Sequence, residues 1–244
     1  MSTRLNMKFT NKGNNPIIAA NYLFKGIALL GSKDLRNFIL IPILINIVLY
    51  SAALTLSYYY IDSLINVFIP SWLHWLHWLL WPLFFVSFFI VGFFSFTVLA
   101  NLLASPFYGK LAAKTLALIK PEAIAVIEQP FTKVLLAETK RVGYILRLAI
   151  PLLILSIIPG LNVFAPFLWA LFSAWSMSLE YMAYPLENAG ILFIEQKQLI
   201  KSIRWGALSF GGIAALGLSI PIINIIIAPA AVIAATLYVD EIKE

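Results

Sequence analysis

Two long uncharged apolar runs are interrupted in the same way, and the interruption limits what either run can become. Ile158–Pro166 reads IPGLNVFAP and Ile220–Pro229 reads IPIINIIIAP: Ile-Pro, two residues, Asn, a short apolar stretch, then Ala-Pro. Proline removes a helical hydrogen bond and disfavours helix at the residue before it, so each run is expected to turn there. The arms are then short. Arg147–Ile158 has 12 residues, about 18 Å of helix, and Trp205–Ile220 and Asn224–Val239 have 16 each, about 24 Å. A bilayer core of roughly 30 Å asks for about 20 helical residues. Of the four arms, Val163–Tyr184 alone is long enough to cross by itself. We read two helical hairpins, 147–185 and 205–239, that dip into a membrane with Asn162 and Asn224 near their tips. Irregular backbone at that depth must be covered by protein or line a water-filled cavity. Two such tips in one small chain point to a shared polar path.

Composition agrees with a membrane setting. Of 244 residues 61% are hydrophobic and 11% charged, against roughly 25% charged in an ordinary soluble domain. The first twenty residues lack a continuous apolar stretch, so no cleavable signal peptide is expected. The absence of cysteine excludes disulfide and thiolate chemistry. A net charge of +6 invites a nucleic-acid partner. The lysines and arginines lie beside apolar segments, however, where topology and contact with anionic lipid account for them, so no nucleic acid is expected.

In chain order, residues 1–36 form a basic start, with Pro16–Leu30 as an amphipathic helix along the membrane surface. A transmembrane helix is expected at 38–61, ending in the aromatic girdle Tyr58, Tyr59 and Tyr60, then a short loop from Asp62 to Pro70. His74 and His77 stand among Trp72, Trp75, Trp78 and Trp81. Two imidazoles are too few ligands for a closed metal site, so an interfacial aromatic belt is expected and no metal. A second transmembrane helix is expected at 79–103, leaving the membrane at Ser105-Pro106, followed by a basic helical region at 107–146. The intervening loop holds Asp62 as its one charge, so the positive-inside rule puts both basic regions, and the N-terminus, in the cytoplasm.

Chemistry-bearing motifs are missing. There is no GxSxG, HExxH, phosphate-binding loop or dinucleotide fingerprint, so no enzyme, no cofactor and no ATP hydrolysis is expected. Polar residues inside apolar runs are candidates for a pathway: Asn46, Asn101, Asn162, Asn224 and Glu180. Interhelical hydrogen bonding is the alternative for each asparagine, and an interfacial position for Glu180. The stretch SKDLRNF adds a candidate anion site, because Leu35, Arg36 and Asn37 fall in the opening turn of the first long helix. Backbone N–H groups and the positive dipole end gather there, and Arg36 adds a bidentate donor. Arg36 as a plain membrane-flanking anchor is the alternative.

Four stretches, LRNFILIPILIN, NLLASPFYGKLAAKTLA, IPGLNVFAPFLWALFSAWSMSLEYMAYPLEN and IPIINIIIAPAAVIAATLYVDE, resemble the CysZ family of bacterial sulfate permeases, in that order and from about Asn21 to Glu241. The resemblance implies an all-α integral membrane protein with two long transmembrane helices, two partly penetrating hairpins and amphipathic surface helices. It implies a homo-oligomer in a bacterial inner membrane that admits sulfate for assimilation toward cysteine, with sulfite not separated from it. The family's sulfate site is a Gly-Leu-Arg motif, often followed by a second arginine. Asp34, Leu35, Arg36 and Asn37 stand at those positions, so the glycine and the second arginine are replaced. Near the end of the first hairpin Ala183 and Ala189 stand where the family commonly has Asp and His. A channel-like or ion-gradient-coupled route is expected. The alternative is a non-transporting scaffold whose hairpins contact lipid or a partner.

Overall fold

The computed structural model describes residues 7–68, 75, 77–122, 126–127, 129–220 and 223–244, with the side chains at 39, 42, 46, 57, 61–68, 77, 80, 93–106 and 131 outside the description. Among the described residues the chain is α-helical. The helices are α1 (Pro16–Leu30), α2 (Asn37–Phe68), α3 (His77–Ile119), α4 (Phe131–Ile157), α5 (Ala165–Asn188), α6 (Phe193–Ser202), α7 (Arg204–Leu218) and α8 (Ile223–Ile242). Short 3-10 turns at Asn11–Asn14 and Asn162–Phe164 join them. Asn15 starts α1 by accepting the Ile17 amide at 2.9 Å, and Pro16 sits at the first helical position, where its missing N–H is not needed.

Helices α2 and α3 lie antiparallel. The Tyr58 ring meets Trp81 edge-on at 5.9 Å, and Gly92 faces the Tyr50 ring. The basic start and the basic end of α3 therefore fall on the same side. Both helices are longer than the sequence predicts. The loop expected from Asp62 is helical to Phe68, since no proline or glycine interrupts it before Pro70. The exit expected at Ser105-Pro106 is instead the interior of a 43-residue helix, about 64 Å long.

The two interrupted runs both fold back on themselves. In the first, α4 and α5 are antiparallel: Trp169 Nε1 donates to Ser156 Oγ at 3.0 Å and Trp175 Nε1 to the Tyr144 hydroxyl at 3.1 Å. Its turn places Gly160 at φ +83°, a conformation that favours glycine. The arm expected at 147–158 is the last part of a 27-residue helix that begins at Phe131. In the second, Gly217 packs on Ile227 and the Phe210 ring stacks on Tyr238 at 6.1 Å, so α7 and α8 are antiparallel too.

Helix α8 is the centre of the fold. Of its most apolar stretch 72% is buried, whereas the Ile43–Tyr60 stretch of α2 is 0% buried. The first is protein core; the second is an apolar surface that the fold leaves uncovered. Helices α1, α3, α5 and α7 all pack on α8. The close approach of α1 depends on Gly26, where a Cβ would overlap the Ala230 carbonyl oxygen and crowd Ala234. Pro16–Leu30 is thus a packed core helix on one face, with Ala19, Tyr22, Leu23 and Leu30 buried. Ile17, Phe24 and Ile27 remain exposed on the other. Replacing Gly26 by leucine must push α1 off α8, and such overpacking costs about 1–3 kcal/mol or more. Thermal unfolding of the detergent-solubilised variant should show a lowered midpoint, with Gly143→Leu, where nothing lies within 4 Å of a Cβ, as the neutral comparison.

Candidate functional site

The turn between α1 and α2 holds the candidate anion residues. Leu35 is 0% exposed and sits in the core, so its side chain anchors the turn. Asp34, Arg36 and Asn37 are exposed. The Leu35 and Arg36 amides both donate to the Ser32 carbonyl, at 3.2 and 3.1 Å, and the Phe38 amide donates to Leu35 O at 3.0 Å. Helix α2 opens at Asn37, two residues later than an opening turn beginning at Leu35 requires. What the turn offers an anion is the Arg36 guanidinium and the polar groups of Asn37. Ser32 Oγ, in the same turn, is enclosed without a hydrogen-bond partner among the described residues.

The polar residues of the apolar runs are placed unequally. The side chains of Asn46 and Asn101 lie outside the described residues, although their backbones are helical. Asn162 is exposed at the first tip. Asn224 is 4% exposed in the opening turn of α8, and its Oδ1 has no hydrogen-bond partner among the described residues. An unpartnered buried amide oxygen is costly, and water is the usual remedy.

Glu180 belongs to a cluster that sequence reasoning missed. Buried Arg141 on α4 pairs with Glu187 at 2.8 Å and Glu138 at 3.1 Å, and Glu180 stands 3.9 Å away. Gln196 of α6 accepts from the same guanidinium at 3.0 Å and donates to Ile191 O at 2.7 Å. Three carboxylates thus share one guanidinium. Glu138 lies on α4 outside the uncharged arm; burial pushes its carboxyl above the usual 4.5, outweighing the pull of Arg141, and Glu187 and Glu180 add to the rise. The sequence did carry a signal: Glu138 and Arg141 are three apart, and Glu180 and Glu187 seven apart, both helical same-face spacings.

A cavity of about 900 Å³ opens where the end of α3 meets the ends of α5 and α8. Lys110, Lys114, Lys120 and Lys243 line it beside Glu122, Asp240 and Glu244. Asp240 holds Lys243 at 2.7 Å and Lys120 at 2.9 Å. Asn188 fixes its inner wall by donating to Gly109 O at 2.9 Å.

The sequence model of the family described as "Sulfate transporter CysZ/Etoposide-induced protein 2.4" matches residues 22–229. The chain belongs to this family. It is 39% identical over 230 residues, 89% of each chain, to the "Sulfate transporter CysZ" of Pseudomonas syringae pv. tomato. It is 38% identical to the protein of the same name from Pseudomonas fluorescens Pf0-1, covering 91% of this chain and 93% of the relative. That of Pectobacterium atrosepticum is 34% identical over 244 residues, covering 96% and 89%. The family match spans the Asp34–Asn37 turn, both hairpin tips and the Arg141 cluster, while Asp240 and Lys243 fall beyond it.

Removing the shared guanidinium leaves three carboxylates facing one another. Losing one partner of a fully buried pair costs about 3–5 kcal/mol. The Glu138 and Glu180 side chains are 40% and 43% exposed, so solvent screening brings the expected loss for Arg141→Gln to about 2–3 kcal/mol. Glu138→Gln should behave differently. A carboxyl with a raised folded-state pKa loses stability as pH rises from about 4.5 through its folded value, so the amide should flatten the fall of the unfolding midpoint over that window. Thermal unfolding across the acid range reads both.

Proposed function

We propose that this chain carries sulfate inward across a bacterial inner membrane, for assimilation toward cysteine, by a channel-like or ion-gradient-coupled route without ATP hydrolysis. The observation that carries this reading is a family match over nearly the whole chain to proteins named as sulfate transporters. Three helical stretches, Ile43–Tyr60, Asn162–Asn188 and Ile223–Ile242, are long and apolar enough to cross a membrane. That company supports a transport role, and the sequence has no phosphate-binding loop to power one by ATP hydrolysis.

Sulfate would meet the chain at the Asp34–Asn37 turn. With the Leu35 and Arg36 amides engaged, recognition rests on the Arg36 guanidinium, helped by Asn37 and the Ser32 hydroxyl, which has no partner among the described residues. Asp34 opposes an anion there and sets the preference for a site that holds sulfate loosely enough to release it. Farther on, Asn224 offers a neutral amide in a buried position, and Asn46, Asn101 and Asn162 are further lining candidates. Uncharged amides solvate a dianion without trapping it, which suits conduction. Glu180, tied to Arg141, would act by holding α5 in place more than by touching the anion.

The antiparallel α2–α3 pair puts both basic regions on one side, and the positive-inside rule makes that side cytoplasmic. The exposed apolar faces of α2 and of the first hairpin, Leu153, Ile157 and Phe167 among them, would be covered by lipid and by further copies of the chain.

Radiolabelled sulfate uptake into proteoliposomes tests the reading. Wild-type flux should exceed that of empty liposomes. Arg36→Ala should lower apparent affinity by about tenfold or more, as loss of a charge-assisted hydrogen bond worth about 1.5–3 kcal/mol requires, and Arg36→Lys should restore part of it. Flux unchanged in Arg36→Ala would move the anion site elsewhere. No flux from folded, inserted protein would turn the assignment to a scaffold.

A further inference from the structure

The cavity at the end of α3 holds more positive charge than its own carboxylates neutralise. Lys120 and Lys243 are both committed to Asp240. Lys110 and Lys114 also line it, are exposed, and form no ion pair among the described residues. They are four apart on α3, hence one above the other on the same face, where like charges repel. Such a pair gains from a bound anion.

The rest of the lining says which kind of anion. Ala113, Ala117, Val126 and Ile127 give the cavity an apolar wall. A small hydrated anion gains nothing from such a wall, whereas an amphiphile buries acyl carbons against it at about 0.8 kcal/mol per CH₂. The volume of about 900 Å³ lies in the range of small-molecule sites. It takes a headgroup with the first carbons of its chains. Position completes the match. Lys110 follows directly on the apolar part of α3, which puts the cavity at membrane headgroup level. Basic clefts at that level, between membrane helices, are where phosphate-bearing headgroups are recognised.

We propose that this cavity binds an anionic phospholipid, its phosphodiester held between Lys110 and Lys114 and its proximal acyl carbons against Ala113, Ala117, Val126 and Ile127. Glu122 and Glu244, at the same cavity, work against a second negative charge and favour a singly charged headgroup such as phosphatidylglycerol. The site is separate from the Asp34–Asn37 turn and stands whether or not that turn takes sulfate.

Native mass spectrometry of the full chain, purified in detergent and stripped of lipid, reads it directly. Dioctanoyl-phosphatidylglycerol should bind, dioctanoyl-phosphatidylcholine should bind at least tenfold more weakly, and the double variant Lys110→Gln/Lys114→Gln should lose about tenfold or more for phosphatidylglycerol. Ala117→Phe, which fills the apolar wall, should also weaken binding while leaving both lysines in place. Equal binding of the two lipids, or unchanged binding by the lysine variant, would overturn the proposal. Displacement of the lipid by millimolar inorganic sulfate or phosphate would overturn it as well, because the cavity would then be a free-anion station. The lysines are exposed, so their unfolding midpoint should match wild type. Should that variant fail to fold, Ala117→Phe decides.

Discussion

Everything in this structure depends on how closely helices approach α8. A helix buried on all sides must present little bulk wherever a neighbour crosses it, and Ala228, Ala230, Ala231, Ala234 and Ala235 give α8 that profile. Gly26 from α1 then sits against the Ala230 carbonyl, and Gly206 from α7 meets the Tyr238 hydroxyl. Contact at this range replaces the hydrophobic drive that lipid-exposed helices lack, since lipid is as apolar as leucine and van der Waals packing must do the selecting. Ser178 on α5 donates to the Ala207 carbonyl across the gap where Gly211 meets the Ala174 carbonyl, so the α5–α7 crossing follows the same rule.

Around that packed centre the charged groups act as fasteners between helices, not as exposed decoration. Arg141 gathers α4, α5 and α6 at one point. Asp240 gathers the end of α3 and the end of α8 through Lys120 and Lys243. Lys12 pairs with Glu241, and the Tyr238 hydroxyl donates to Gly13 O, which ties the segment before α1 to α8. These clusters lie away from the long uncharged stretch of α2 from Asn37 to Tyr60.

Much of the fold was legible in the sequence. The proline and asparagine interruptions marked both reversals, Asn15-Pro16 marked the start of α1, and the uncharged runs marked the long helices. Helix lengths were read less well, because hydropathy reports where charge stops and a helix does not. Helix α3 passes from apolar residues into KLAAKTLALI without a break, and α4 carries Glu138, Arg141 and the apolar arm on one rod. The inward role of α8 was hidden as well. Its composition is that of a lipid-facing helix, and its small residues became informative once Gly26 and Gly206 were seen to press on it. At the candidate site the sequence reading put Leu35, Arg36 and Asn37 in the opening turn of the first long helix, whereas α2 begins at Asn37. The Ser32 carbonyl that engages two of the expected amides has no signature a residue pattern could carry.

The central helix follows in chain order the four helices that pack on it, and that order has a consequence for how the molecule comes into being. During synthesis α1, α3, α5 and α7 all emerge before the helix they enclose. The contacts that close the fold join residues more than two hundred positions apart, as Tyr238 and Gly13 do, and distant pairings of this kind form slowly. The chain therefore matures as a lock whose bolt is made after its case. A nascent protein interrupted before Ile223 lacks the helix on which α1, α3, α5 and α7 all pack.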